Sequence, residues 1–301
     1  MPYRSVVLVK QVPDTKNISG DAMTPEGTIN RAALPAVFNP EDLNALEMAL
    51  QVRDRHGGEV IVLSMGPLAA AEVLRESLFR GADRAVLLSD RKFAGADTLA
   101  TSYALCCAVR AIERERGKVD LVFAGRQAID GDTAQVGPQT AEKLGIPQIT
   151  YAETILELAA GSITAVRALD HGAETVRCSL PCLLTVVASA NEPRPASVRR
   201  RIEYKLASTK AERAALLAKW PSFGSEEALG AYLEERGLEI PVWSAADIGA
   251  EEGKLGFAGS PTQVHKINFV ILEATESKAF EPTQAGVKAL VDELVAEYIV
   301  G

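Results

Sequence analysis

Four short runs of consecutive apolar residues, each followed by a stretch of different periodicity, constrain this chain more than any other feature. They are S-V-V-L-V at 5–9, E-V-I-V-L-S at 59–64, A-V-L-L-S-D at 85–90 and D-L-V-F-A-G at 120–125. A strand with one wet face alternates apolar and polar residues, whereas a run apolar throughout has both faces covered. Between the first two runs, residues 40–57 place Leu43, Leu46 and Leu50 three and four apart, the spacing of one helix face. Asn39 stands where an N-cap would, Pro40 suits the first turn, and Glu41 and Asp42 suit the positive end of the helix. Further helices are expected from Leu68 to a stop at Gly81, at about 97–116 and at about 133–144. Strand and helix in strict alternation make an α/β chain: a parallel sheet with helices on both faces and right-handed crossovers.

From 150 to 190 the pattern changes. E-T-I-L-E-L-A-A, S-I-T-A-V-R-A-L, A-E-T-V-R-C-S and C-L-L-T-V-V-A follow one another with short turns, which predicts an antiparallel β extension of the parallel core. Arg194 to Lys210 then carries six cations against one acid, Glu203, either a solvated helix or a surface arm. Two helical patterns lie between 210 and 237, a loop-rich stretch contains G-F-A-G-S-P-T-Q at 256–263, and an amphipathic helix is expected at about 283–299. A division at 190 follows, with the sheet and its extension before it and the basic segment, helical insertion and C-terminal arm after it.

Composition excludes several function classes. With 32 Lys plus Arg against 40 Asp plus Glu the net charge is −8, the wrong sign for a nucleic-acid binder. No apolar stretch reaches the roughly 18 residues of a membrane-spanning helix. The opening M-P-Y-R-S-V-V-L-V reads as a first strand and not as a signal peptide. Cys106 and Cys107 are adjacent in a helical pattern, and Cys178 and Cys182 form C-S-L-P-C. On a continuous strand those two sulfurs would share a face but stand too far apart to bond. Four free thiols fit a reducing, cytoplasmic setting. His56, His171 and His265 are scattered without a second ligand at metal spacing, and no G-x-S-x-G elbow is present, so a zinc enzyme and a serine hydrolase are both disfavoured.

In an open parallel sheet, ligands bind beyond the carboxyl ends of the strands, where helix N-termini present free N–H groups. Four such ends are legible: Lys10 to Thr15, Met65 to Pro67, Gly95 to Ser102, and Gly125 to Gln135. The last is the richest. Gly125 and Gly131 favour close backbone approach, Asp132 or Thr133 can cap the following helix, and Arg126 is a cation suited to a diphosphate. An ordinary capped helix start is the plain alternative. Neither G-x-G-x-x-G nor G-x-x-x-x-G-K-[ST] occurs, so any nucleotide is held outside the two common fingerprints.

Five strings occur in order: V-K-Q-V-P-D-T at 9–15, N-P-E-D at 39–42, G-A-D at 81–83, G-R-Q-A-I-D-G-D-T-A-Q-V-G-P at 125–138 and N-E-P-R at 191–194. Together they resemble the β subunit of electron transfer flavoproteins, well over residues 3–206 and loosely beyond. The resemblance implies a Rossmann-like domain that binds an adenine nucleotide, and a heterodimer whose α subunit holds one FAD. In non-bifurcating members the β-subunit nucleotide is a structural AMP; in electron-bifurcating members it is an FAD that takes hydride from NADH. Positions matching the family's nucleotide site are Leu8, Asn39, Pro40, Glu41, Asp42 and Met65. With them goes the loop of Gly125, Arg126, Gln127, Ala128, Ile129, Asp130, Gly131, Asp132, Thr133, Ala134, Gln135 and Val136. Asp97, Thr98 and Thr101 match the two-flavin type, as does G-S-P-T-Q-V at 259–264. Gly131, where AMP-binding members carry an acid, points the same way. The basic segment resembles the family's docking loop for partner dehydrogenases, with Val198 at the apolar anchor among Arg194, Arg199 and Arg200. The resemblance further implies an acyl-CoA dehydrogenase-like or quinone-reductase partner, and in the bifurcating branch a ferredoxin or flavodoxin as low-potential acceptor. The stretch at about 207–240 departs from the family pattern.

Overall fold

The computed structural model describes residues 2–14, 35–262, 278–297 and 299–300. They fall into two compact units, 1–264 and 265–301, so the first unit continues well past the division expected at 190. Thr15, Gln263, Val264 and His265 lie outside the described residues.

The first four strands of the parallel core are β1 (Tyr3–Leu8), β4 (Gly58–Met65), β5 (Arg84–Leu88) and β6 (Leu121–Gly125), each nearly covered on both faces. Between them run helices α1 (Pro40–His56), α2 (Ala71–Arg80) and α3 (Thr98–Arg116). Pairing is parallel throughout, β5 to β4 to β1 to β6, so the connection after β5 crosses back to the far side of β1. The pleat sorts the side chains. Val7, Val60, Val62, Leu121 and Phe123 enter the core under α1 and α2. Their neighbours Val6, Leu8, Ile61, Leu63 and Val122 enter the opposite core with Ala104, Ala108 and Ile112 of α3.

Beyond β6 the chain forms α4 (Val136–Leu144), β7 (Gln148–Ala159), β8 (Ser162–Leu169), β9 (Gly172–Ser179) and β10 (Cys182–Val186). Here the sequence reading needs correction. The antiparallel extension consists of β7, β8 and β9 only; C-L-L-T-V is β10, which returns to the middle of the sheet and pairs parallel with both β6 and β7. Its five residues are all buried, the mark of a central strand that the run itself carried. A second departure lies between β1 and α1. Gln11–Pro13 (β2) pairs antiparallel with Ala36–Phe38 (β3), a ribbon that the strand and helix periodicity does not announce. This small ribbon hands the chain back beside its own starting point, with Asn39 N–H donating to Lys10 O at 3.0 Å.

The 207–240 stretch carries α6 (Arg213–Lys219) and α7 (Glu226–Glu235), following α5 (Val198–Glu203). Leu206, Leu229, Leu233 and Leu238 form a separate small core there. Thr209 and Glu212 make a capping box, and Glu212 also pairs with Arg75 of α2 at 3.0 Å. The stretch ends in β11 (Val242–Trp243), which pairs with Leu87 and Leu88 on the outer edge of β5. The completed sheet runs β11-β5-β4-β1-β6-β10-β7-β8-β9. In the second unit α8 (Gln284–Ala296) is amphipathic, with Val287, Leu290, Val291 and Val295 all exposed. Among the described residues no helix is long and apolar enough to cross a membrane.

Candidate functional site

Strand order reverses between β1 and β6, and open α/β sheets bind ligands past the carboxyl ends of their strands at such a point. Three segments meet there: Lys10 at the end of β1, Asn39 to Asp42 at the start of α1, and the loop from Gly125 to Gln135. Asp42 joins all three. Its Oδ2 accepts from Lys10 N–H at 2.8 Å and its Oδ1 from Gly125 N–H at 3.0 Å, and the residue is buried. Burial pushes this carboxyl up to about 7, against the opposing pull of Asn39, the two backbone N–H groups and Lys10.

Gly125 is glycine because nothing larger fits. A Cβ there would lie 2.5 Å from Asp42 Oδ1 and 2.8 Å from Asp42 N. Gly131 differs: a Cβ would meet nothing, so its lack of a side chain leaves open space and serves no close approach within the chain.

Asn39 occupies the N-cap position of α1 but its side chain makes no cap bond. It reaches across instead, Nδ2 donating to Gln127 O at 2.8 Å and Oδ1 accepting from Ile129 N–H at 3.2 Å. Glu41 accepts from Gln127 N–H at 2.9 Å and pairs with Arg126, both Nε and Nη2 lying 3.1 Å from Oε1. Arg126 also lies over the Tyr151 ring, 5.8 Å from its centre, and Tyr151 itself has φ 58. The cation expected to face a diphosphate thus has its charge answered by Glu41. Lys10 Nζ holds both oxygens of Asp130 at 2.8 Å, and Gln127 Nε2 donates to Asp132 Oδ1 at 2.8 Å.

The cap expected from Asp132 or Thr133 does not form. Gln135 is the N-cap residue of α4, again without a side-chain cap bond, and Asp132 (φ 50) and Ala134 (φ 52) are left-handed. Two such residues in a three-residue span cost free energy that ordinary loops avoid, a recurrent property of ligand-binding turns. Gln135 reaches the entrance of α3, where Thr98 Oγ1 donates to its Oε1 at 3.1 Å. Asp97 is the true cap there: Oδ1 accepts from Leu99 and Ala100 N–H, Oδ2 from Thr262 N–H and Oγ1. Burial works against the Asp97 carboxylate, yet these donors together hold it below its usual range.

Thr101 and Met65 are half-buried near this rim, and Thr133 is exposed. Leu8 is buried in the core facing α3. Lys10 opens the first of the four strand ends, and Ser260, within the string at 259–264, accepts from Asp97 N–H through its Oγ at 2.8 Å. Tyr151 is not among the residues expected from the sequence; it carries no signal short of its backbone geometry.

The basic segment separates into two kinds of residue. Arg194 is consumed by α1: Nε lies 2.7 Å from Glu47 Oε2 and Nη1 2.9 Å from Asp54 Oδ2. Asn191 bonds reciprocally with Asn44, so N-E-P-R is a clasp on α1. Arg200 donates to the carbonyls of Leu78 and Ala82 at the end of α2, as cations at helix C-termini do. Val198 and Ile202, one turn apart on α5, are 74% and 65% exposed beside the exposed Arg199.

Comparison with known proteins shows the family. Residues 26–216 match the electron transfer flavoprotein domain. The chain is 39% identical over 295 residues to the electron transfer flavoprotein subunit beta of Clostridium acetobutylicum, covering 98% of this chain and 99% of that one. The chain belongs to the electron transfer flavoprotein β-subunit family. Protein FixA of Azorhizobium caulinodans is 44% identical over 265 residues, 87% of this chain and 83% of its own. The caffeyl-CoA reductase-Etf complex subunit CarD of Acetobacterium woodii is 42% identical over 264 residues, 87% and 86% of the two chains. As an electron transfer flavoprotein β subunit, the chain functions with an α subunit and with electron-transfer partners.

Proposed function

We propose that this β subunit binds an FAD in the crevice between β1 and β6 and, with its α subunit, oxidises NADH in an electron-bifurcating complex. The observation that carries the reading is the open space at Gly131, on a loop otherwise anchored by Asn39, Glu41 and Asp42. An acid there would add bulk and charge beside the ligand, which suits a small nucleotide better than a dinucleotide. The acids that remain are answered within the chain: Asp130 by Lys10 and Asp132 by Gln127.

On this reading the backbone from Arg126 to Gln135, bracketed by Thr98, holds the diphosphate and ribose. Bound FAD would supply the hydride acceptor for NADH and divide the electron pair between the α-subunit FAD and a ferredoxin or flavodoxin. The chain's own task is placement and electrostatics, with no side chain acting as nucleophile or general acid. The similarity to CarD makes a CoA-ester reductase or acyl-CoA dehydrogenase-like enzyme the proposed partner class, approached through Val198 and Arg199. A cytoplasmic setting fits four cysteines without a disulfide.

The second reading is a structural AMP in the same crevice, with electrons passing through the α-subunit FAD alone. It draws on the charge balance of the crevice, where Glu41 already answers Arg126. Acid release of nucleotides from the purified αβ complex separates the two. Two FAD without AMP, and bleaching of flavin absorbance by NADH, are expected; one FAD with one AMP would overturn the proposal.

A further inference from the structure

Cys178 is the penultimate residue of β9 and Cys182 the first of β10, and Ser179, Leu180 and Pro181 connect the two. They are therefore not four positions along one strand, as the sequence reading had it. Cys178 Sγ lies 3.1 Å from Cys182 Sγ, about 1 Å beyond the length of a disulfide bond. Their surroundings differ. Cys182 is fully buried in the core under α1, while Cys178 is only partly covered at its rim. Cys178 is thus the more accessible residue of the pair, and the Cys182 sulfur lies in contact with it on the core side.

We infer that Cys178 and Cys182 are a modification site, a thiol pair that hydrogen peroxide converts to an intramolecular disulfide. Cys178 attacks the peroxide first: an S–O bond forms, the O–O bond breaks, and water leaves with the thiol proton. Cys182 sulfur then attacks the sulfenic sulfur: the S–S bond forms, the S–O bond breaks, and the departing hydroxide takes the Cys182 proton as a second water. Two thiols lose two electrons and two protons, and one peroxide becomes two waters. Burial, reinforced by Cys178, holds Cys182 as the protonated thiol, which leaves the first step to Cys178.

The pair is separate from the nucleotide site. Cys182 pairs with Leu121 at one end of β6, whereas Val186 pairs with Gly125 at the other. The ring closed by the bond is short, so it removes little chain entropy, and its expected role is chemical and not a staple of the fold. Cys106 and Cys107 are adjacent on α3 and serve as internal standards.

The test uses the complete αβ complex, reduced, exposed to hydrogen peroxide, then denatured, alkylated and cut after Arg177, so that one peptide carries both residues. Alkylation of Cys178 and Cys182 is expected to disappear together, with the peptide lighter by two hydrogens and thiols restored by dithiothreitol. Cys106 and Cys107 stay alkylated and nucleotide content is unchanged. In Cys182→Ser, dimedone is expected to trap a sulfenic acid at Cys178. Where that buried replacement fails to fold, Cys178→Ser decides: Cys182 must then keep its thiol through the same treatment. Full alkylation of Cys178 after peroxide overturns the inference. So does a sulfinate at Cys178 beside an alkylated Cys182, or oxidation of Cys182 in Cys178→Ser.

Discussion

Asp42 Oδ1 accepts the Gly125 N–H at 3.0 Å from a position that leaves no space for a Cβ on Gly125. The end of a central strand and the first turn of α1 are fitted together backbone to side chain. This contact fixes where the 125–135 loop begins.

Gly125→Ala is therefore expected to destabilise the fold by about 1–3 kcal/mol through overpacking and to lower nucleotide content. Gly131→Ala, whose Cβ meets nothing, is expected to leave stability within about 0.5 kcal/mol. Gly131→Asp should preserve the fold and reduce bound FAD. Urea unfolding and acid-released nucleotide measure both; equal losses for the two alanine variants would count against this account.

Asp42 makes a pH prediction. Its folded value is raised from 3.8 to about 7, so the stability it contributes is complete below about pH 4 and is lost as pH rises through 7. Asp42→Asn removes that titration, and its amide cannot accept from both backbone N–H groups. The wild-type advantage over Asp42→Asn should shrink between about pH 4 and 7, by up to about 1.4 kcal/mol per unit. A gap that widens with pH would contradict it.

Arg194 is expected to behave as a structural residue. Burial opposes the Glu47 charge, but Arg194 and Gln51 outweigh it and hold the carboxyl below its usual 4.5. Arg194→Ala leaves that charge buried without its main partner, at a cost of about 3 kcal/mol. Because Glu47 is held low, the loss is full above pH 4.5 and fades on further acidification, which denaturation at two pH values reads directly.

Val198→Ala and Ile202→Ala remove exposed groups, so stability should change by less than about 0.5 kcal/mol. If α5 docks a partner, kcat/KM for electron transfer to that partner falls about tenfold or more in the double variant, the cost of losing a packed anchor. NADH-dependent bleaching stays as in wild type. Loss of both activities together would remove α5 from partner recognition.

What the sequence carried and what it did not follow one division. Continuous apolar runs announced the parallel core, because burial on two faces leaves its mark on nearly every residue of β1, β4, β5 and β6. C-L-L-T-V bore the same mark, but its neighbours along the chain were antiparallel, and only the return past β7 reveals where β10 goes. The loop from Gly125 to Val136 was legible as a site; its internal bonding was not. Asn39 and Asp132 are both good caps by residue type, yet Asn39 spends its side chain on the distant Gln127 and Ile129 and Asp132 accepts from Gln127 within its own loop. Such choices depend on what the tertiary fold brings within reach, as with Cys178 and Cys182, and periodicity holds no record of them.

The insertion that ends in β11 has a consequence for solubility. Without it, the N–H and C=O groups along the outer side of β5 would form a bare template five residues long, open to the same strand of another molecule. Two residues, Val242 and Trp243, occupy that template, anchored by N–H bonds from Leu87 to Pro241 O and from Ser89 to Trp243 O. A chain shortened through this stretch would gain an open edge along β5, so these two residues guard that edge against other copies of the molecule.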